Sequence, residues 1–121
     1  MELSCHCGGV TITLPHAPDE IIRCNCSVCR KTGFLALRYP ENSVAVAGKV
    51  DGYVRNDMSD EPPCLTLWHC PSCGVVTHWT LLDEWPYDDM ERPDRMGVNG
   101  RLLDPELAKS LPVREVDGAS A

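Results

Sequence analysis

The chain has 121 residues, 43% of them apolar and 24% charged, and a formal charge of −7. This suits one globular domain with a modest core, expected over residues 1–121, and excludes a disordered chain. The acidic balance argues against general nucleic-acid binding, and the apolar runs fall far short of the roughly 20 residues that span a membrane. In chain order, Cys5-His6-Cys7-Gly8-Gly9 is a tight thiol knuckle, and residues 10–14 alternate as a strand that stops at Pro15. Ile21-Ile22-Arg23 leads into Cys24-Asn25-Cys26-Ser27-Val28-Cys29, and residues 34–39 read as a strand ending at Pro40. Residues 44–47, Gly48 and residues 50–55 read as a hairpin. Residues 64–68 and 75–82 flank Cys70-Pro71-Ser72-Cys73-Gly74 and read as a hairpin tipped by that knuckle. Residues 85–93, with two prolines, read as a loop that either covers a site or lies in solvent. Asp104-Pro105-Glu106 signals a helix N-terminus through a capping acid, a first-turn proline and a first-turn acid, and the helix should stop before Pro112.

The cysteines carry the chemistry. Seven of the eight fall in three tight groups, C-x-C, C-x-C-x-x-C and C-x-x-C. Thiols one residue apart suit chelation of one ion better than disulfides. With an acid at position 2 and a thiol at position 5, no secretory leader is expected. The expected compartment is therefore the reducing cytosol, which also disfavours disulfides. Soft thiolates at short spacing favour zinc, with iron in a four-thiolate site as the alternative. Two knuckles, Cys5/Cys7 and Cys70/Cys73, make a closed structural site of four ligands. Cys24, Cys26 and Cys29 leave three ligands, the pattern of a catalytic zinc with an open position. Cys64, His6, His16, His69 and His78 are the residues that would close that site instead. Cys64 opens a strand and is read as a small hydrophobe pointing into the core. Residues 21–40 carry Arg23, Arg30, Lys31 and Arg38 without an acid, a basic island beside the three thiols that would draw an anionic ligand.

The series C-x-C-G-G, C-x-C-S-x-C-R-K and C-P-x-C-G, with the tail Leu-Pro-Val-Arg-Glu-Val-Asp-Gly at residues 111–118, resembles the glutathione-dependent formaldehyde-activating enzyme family, which includes centromere protein V. The chain is similar to its compact members over nearly its whole length, and departs in having His69 where the family usually has an aromatic residue. The resemblance implies a mainly β zinc β-tent fold: two antiparallel sheets pinned by a four-cysteine zinc site, here with one short C-terminal helix. It implies two zinc ions, one on Cys5, Cys7, Cys70 and Cys73 and a catalytic-type ion on Cys24, Cys26 and Cys29. It also implies a carbon–sulfur lyase that joins glutathione, or a similar small thiol, to formaldehyde or another small aldehyde. On this reading the open position takes the thiol or polarises the carbonyl. Arg30 and Lys31, with Arg38, meet the ligand's carboxylates, and Gly33 permits close backbone approach. The competing reading is a non-catalytic zinc-binding structural or interaction module, because no histidine or acid is placed as a general base.

Overall fold

The computed structural model describes residues 1–57 and 62–120. Among these residues, ten strands form two sheets. The smaller sheet joins β1 (Glu2–Ser4), β2 (Thr11–Thr13) and β5 (Ala45–Ala47) in that order, all antiparallel. Leu3, Ile12 and Val46 stand in one cross-strand row on its inner face. The larger sheet contains β3 (Ile21–Cys24), β4 (Ala36–Tyr39), β6 (Asp51–Val54), β7 (Leu65–His69), β8 (Val76–Leu81), β9 (Met96–Asn99) and β10 (Val113–Val116). Their spatial order is β10-β3-β4-β9-β8-β7-β6. All neighbours are antiparallel except β10, which runs parallel to β3 with Val113 opposite Ile21 and Val116 opposite Cys24.

The main core lies between the sheets. Leu3, Ile12 and Leu14 from one side meet Ile21, Leu37, Tyr39, Met96 and Val98 from the other. The other face of β3 and β4 is buried as well: Ile22, Phe34 and Ala36 form a second cluster with Cys29, Val76, Trp79 and Val116. Burial on both faces explains why Ile21 and Ile22 are adjacent apolar residues rather than an alternating pair. A third cluster, Cys5, Val10 and Cys70 with Val46, Val50, Cys73 and Val75, sits under the four-thiol group.

The capped helix is present as α2 (Pro105–Ser110), with the Asp104 side chain accepting from Glu106 N–H at 2.9 Å. Leu107 and Leu111 pack against the main core, as their spacing predicts. The knuckle-tipped hairpin is β7 and β8, with a register irregularity at Trp68/His69 beside the knuckle. The segment between β8 and β9 carries no helix or strand.

Residues 44–55 are not a hairpin. β5 pairs with β2, whereas β6 pairs with β7 in the other sheet. Gly48 (φ +106°) is where the chain crosses, and a Cβ there would stand 2.1 Å from the Gly9 carbonyl oxygen. The glycine thus marks a close backbone crossing rather than a turn. Two α-helices, not one, are present among the described residues, because Ser27–Thr32 forms a six-residue α1. β9 escapes the sequence pattern because all four of its residues are buried, which removes any alternation. β1 and β10 are short and polar on one face, and β10 adds the parallel pair.

Candidate metal centres

Cys5 and Cys7 lie on the loop between β1 and β2, and Cys70 and Cys73 on the turn between β7 and β8. The two loops bring four Sγ atoms within 4.8 Å of one another. Cys5 to Cys7 is 3.7 Å and Cys7 to Cys70 is 3.6 Å. Four sulfurs at about 2.3 Å from a tetrahedral ion stand about 3.8 Å apart, so the donor spacing fits a metal and not disulfides. Val10 N–H donates to Cys5 Sγ at 3.3 Å and Gly9 N–H to Cys7 Sγ at 3.4 Å, so the backbone already stabilises thiolates there. N–H groups of Val75 and Cys7 bring the Cys73 thiol down to about 6. Gly9 N–H acts the same way on Cys7, but the Cys70 and Cys5 thiols push Cys7 up to about 11. The thiols compete for negative charge, and a bound cation removes that competition.

The second group is built by the β3–α1 junction. Cys24 ends β3, Cys26 is the extended N-cap of α1, and Cys29 lies three residues on, so its side chain shares the helix face nearest the cap. Gly33, at φ 74°, ends the helix in the left-handed conformation and donates to the Cys29 carbonyl at 3.0 Å. The three Sγ atoms lie within 4.8 Å of one another, and neither Cys64 nor any histidine joins them. Burial, then the Cys26 and Cys24 sulfurs, raise the Cys29 thiol. Burial also opposes the Cys26 thiolate, yet the Cys29 N–H, the Cys29 and Cys24 thiols and the Arg55 charge hold Cys26 low. Each group could therefore hold one metal ion, with four thiols on one and three on the other.

The three thiols open onto a cavity of about 230 Å³. Its apolar wall includes Ile22, Phe34, Leu65, Leu67, Trp79 and Trp85, and its charged groups are Arg38, Arg55 and Arg95. Trp79 is set in place by β9: a Cβ at Gly97 would meet its Nε1 at 2.2 Å. Cys64 is half-buried on this wall instead of sitting in the core. Among the described residues, Arg38 and Arg95 have no carboxylate within 4 Å. Burial, then repulsion from Arg95 and Arg114, make the Arg38 guanidinium harder to keep charged. No histidine, aspartate or glutamate among the described residues lines the cavity. His78 is buried elsewhere, stacked on Trp68 with ring centroids 6.1 Å apart, and burial lowers it to about 4.

On the far side of the thiols lies the C-terminal tail. Asn25 Nδ2 donates to Asp117 Oδ1 at 3.0 Å, and Ala119 N–H donates to Asn25 Oδ1 at 3.0 Å. Gly118 then passes so close that a Cβ would stand 2.4 Å from Cys24 Sγ. Of the basic island, Arg30 and Gly33 line a neighbouring depression with Arg101 and Glu115, and Lys31 lines a third with Ser27 and Asp57. Arg30 and Lys31 occupy the last turn of α1, where cations favour a helix C-terminus. Arg38 is the member of the island that faces the cavity holding all three thiols. Arg55, Arg95, Trp79 and Trp85 reach it from distant segments that no local spacing connects to the thiols.

Among the described residues, no helix is long and apolar enough to cross a membrane. A crystal structure of a Rhodobacter sphaeroides protein is similar, with a TM-score of 0.65 and 26% identity over 93% of this chain and 99% of that one. No curated protein matches the sequence. Residues 1–104 match the family described as glutathione-dependent formaldehyde-activating enzyme, and the chain belongs to that family.

Proposed function

We propose that this chain is a zinc-dependent carbon–sulfur lyase-type enzyme acting on a thiol–aldehyde adduct in the manner of S-(hydroxymethyl)glutathione synthase. The observation that carries the reading is the asymmetry of the two thiol groups. Four sulfurs lie within 4.8 Å of one another, enough donors to close a tetrahedral site, whereas three sulfurs face a cavity. Cys5, Cys7, Cys70 and Cys73 would hold the structural ion and Cys24, Cys26 and Cys29 the second. When bound there, zinc supplies Lewis acidity and favours the thiolate form of a substrate thiol.

The chain's own residues do the rest. Arg38 and Arg95, with no carboxylate within 4 Å among the described residues, offer paired recognition of a glutathione carboxylate. Arg30 and Gly33 line one outer depression and Lys31 another, second places for the peptide's far end. Phe34, Leu65, Leu67 and Trp79 give the cavity an apolar wall against the substrate's carbon stem. At about 230 Å³ the cavity is just under the roughly 300–1,000 Å³ of ordinary ligand pockets. It suits the reacting half of a tripeptide plus a one-carbon aldehyde. In synthesis an S–C bond forms, the C=O π bond opens, and the thiol proton ends on the new hydroxyl oxygen. With no histidine or carboxylate among the described wall residues, that proton exchanges through water.

The test is exchange NMR on glutathione plus formaldehyde with catalytic amounts of zinc-loaded protein. Faster interconversion of glutathione and its hydroxymethyl adduct, lost in Cys29→Ser, supports the proposal. No acceleration by a protein carrying both ions refutes it. The lack of a histidine or carboxylate among the described wall residues would then favour the second reading, a non-catalytic zinc module.

A further inference from the structure

We propose that Arg55 is a positioning residue for the three-thiol group: it draws charge from the Cys26 sulfur and so tunes how strongly that group donates to a bound ion. The inference rests on reading Cys24, Cys26 and Cys29 as a metal site. Three thiolates on a dication leave a net charge of −1 and an electron-rich, weakly acidic metal. That charge opposes both an incoming thiolate and polarisation of a carbonyl. Arg55 is placed to offset it.

Arg55 Nη1 donates to Cys26 Sγ at 3.7 Å. On its other edge Nε donates to Asp57 Oδ1 at 2.8 Å and Nη2 to Asp57 Oδ2 at 3.4 Å. Asp57 Oδ2 also accepts the Ser27 hydroxyl at 2.7 Å, and Ser27 follows Cys26 in sequence. The four residues thus form a closed ring, which fixes the guanidinium against the sulfur. The backbone holds the same position: Arg55 N–H donates to the Leu65 carbonyl at 3.1 Å, extending the β6–β7 pairing by one step. The Arg55 side chain is 16% exposed, and Cys26 is buried. Their interaction is therefore less screened than a surface pair. Asp57 is more exposed, at 37%, and lies on the far edge of the guanidinium, so it orients Arg55 more than it cancels it. Outer groups that bond to ligand atoms commonly change metal affinity 10–100-fold.

The experiment uses full-length protein with zinc first loaded at the four-thiol site and cobalt(II) then added to the second, for wild type, Arg55→Met, Arg55→Gln, Arg55→Lys and Asp57→Asn. A sulfur that accepts a hydrogen bond holds its electrons more tightly, so its charge-transfer band to cobalt lies at higher energy. Arg55→Met should move that band to longer wavelength, because a sulfur freed of the guanidinium donates more strongly to the ion. Arg55→Lys should restore part of the band shift. Asp57→Asn should keep the band on the wild-type side while broadening it as the guanidinium loosens. A purely structural role would change affinity without moving the band. An unmoved band in a folded, cobalt-loaded Arg55→Met protein overturns the inference and leaves the metal site standing. Absence of a cobalt–thiolate band at the second site of the wild type overturns the metal reading, and this inference with it. Arg55→Gln keeps the test decisive where Arg55→Met fails to fold: it removes the charge from beside Cys26, and a wild-type band position in folded, cobalt-loaded Arg55→Gln would overturn the inference.

Discussion

Gly118→Ala addresses the back of the three-thiol group. The new methyl would stand 2.4 Å from Cys24 Sγ and 3.4 Å from Cys26 Cβ, against about 3.5–4 Å for a comfortable nonbonded contact. Relief can come in two ways. The sulfur can shift, which spoils the spacing of the three donors, at an overpacking cost of about 1–3 kcal/mol. Alternatively the tail can lift, giving up the two Asn25 side-chain hydrogen bonds to Asp117 and Ala119, which together contribute about 1–3 kcal/mol. The two costs are alike, so the expected destabilisation is about 1–3 kcal/mol by either route. At about 4 °C per kcal/mol for a domain of this size, Tm should fall by about 4–12 °C. Differential scanning calorimetry and metal counting by mass spectrometry on zinc-loaded protein read both effects. A chain ending at Val116 has no residue 118 and should keep its second ion better than Gly118→Ala. Gly118→Ala protein with full metal content and a Tm within about 1 °C of wild type would refute the close packing of tail and sulfur.

Cys73→Ser should lose one ion and much of its stability, because metal binding at a site joining residues 5 and 73 is also folding energy. Cys29→Ser should lose the other ion and remain folded, with circular dichroism and metal counts separating the two. Arg38→Ala and Arg95→Ala should each raise KM for glutathione about 10-fold with kcat little changed, as steady-state kinetics would show. Arg92 ties the segment before β9 to the rest of the fold, donating to Leu82 O at 2.9 Å, Leu81 O at 3.1 Å and Glu41 Oε1 at 2.6 Å. Its hydrogen bond and then its charge hold the Glu41 carboxyl below the ordinary range. A depressed carboxyl contributes above its unfolded value of about 4.3, and the contribution is lost as pH falls through the lower folded value. Arg92→Ala should therefore lower Tm at pH 7 and flatten its fall below about pH 4.

The thiol partition was legible because chelating spacing is local: C-x-C, C-x-C-x-x-C and C-x-x-C each put their donors within reach of one ion whatever the fold. The α2 cap was legible for the same reason, since Asp104 acts on Glu106 two residues away. The cavity was not, because its wall is assembled across the sheet. Arg55 follows β6, Trp79 lies on β8 and Arg95 precedes β9, and nothing in their own neighbourhoods says they share a cavity with Cys26. α1 was hidden by a lack of apolar periodicity, although Gly33 after Arg30 and Lys31 is a helix-end signal that could have revealed it. Gly48 reads as a hairpin turn because a glycine needed for a close crossing looks, in sequence, like a glycine needed for a turn.

The central claim is that one thiol group is complete and the other keeps a place for substrate. Zinc X-ray absorption on the two-ion protein, with and without glutathione, tests it most directly. Seven sulfurs over two ions give about 3.5 per zinc plus a light-atom contribution, rising to about 4 when a substrate thiol binds. A value of about 4 before glutathione is added, unchanged afterwards, would mean that the second site is closed by the protein itself and would contradict the account.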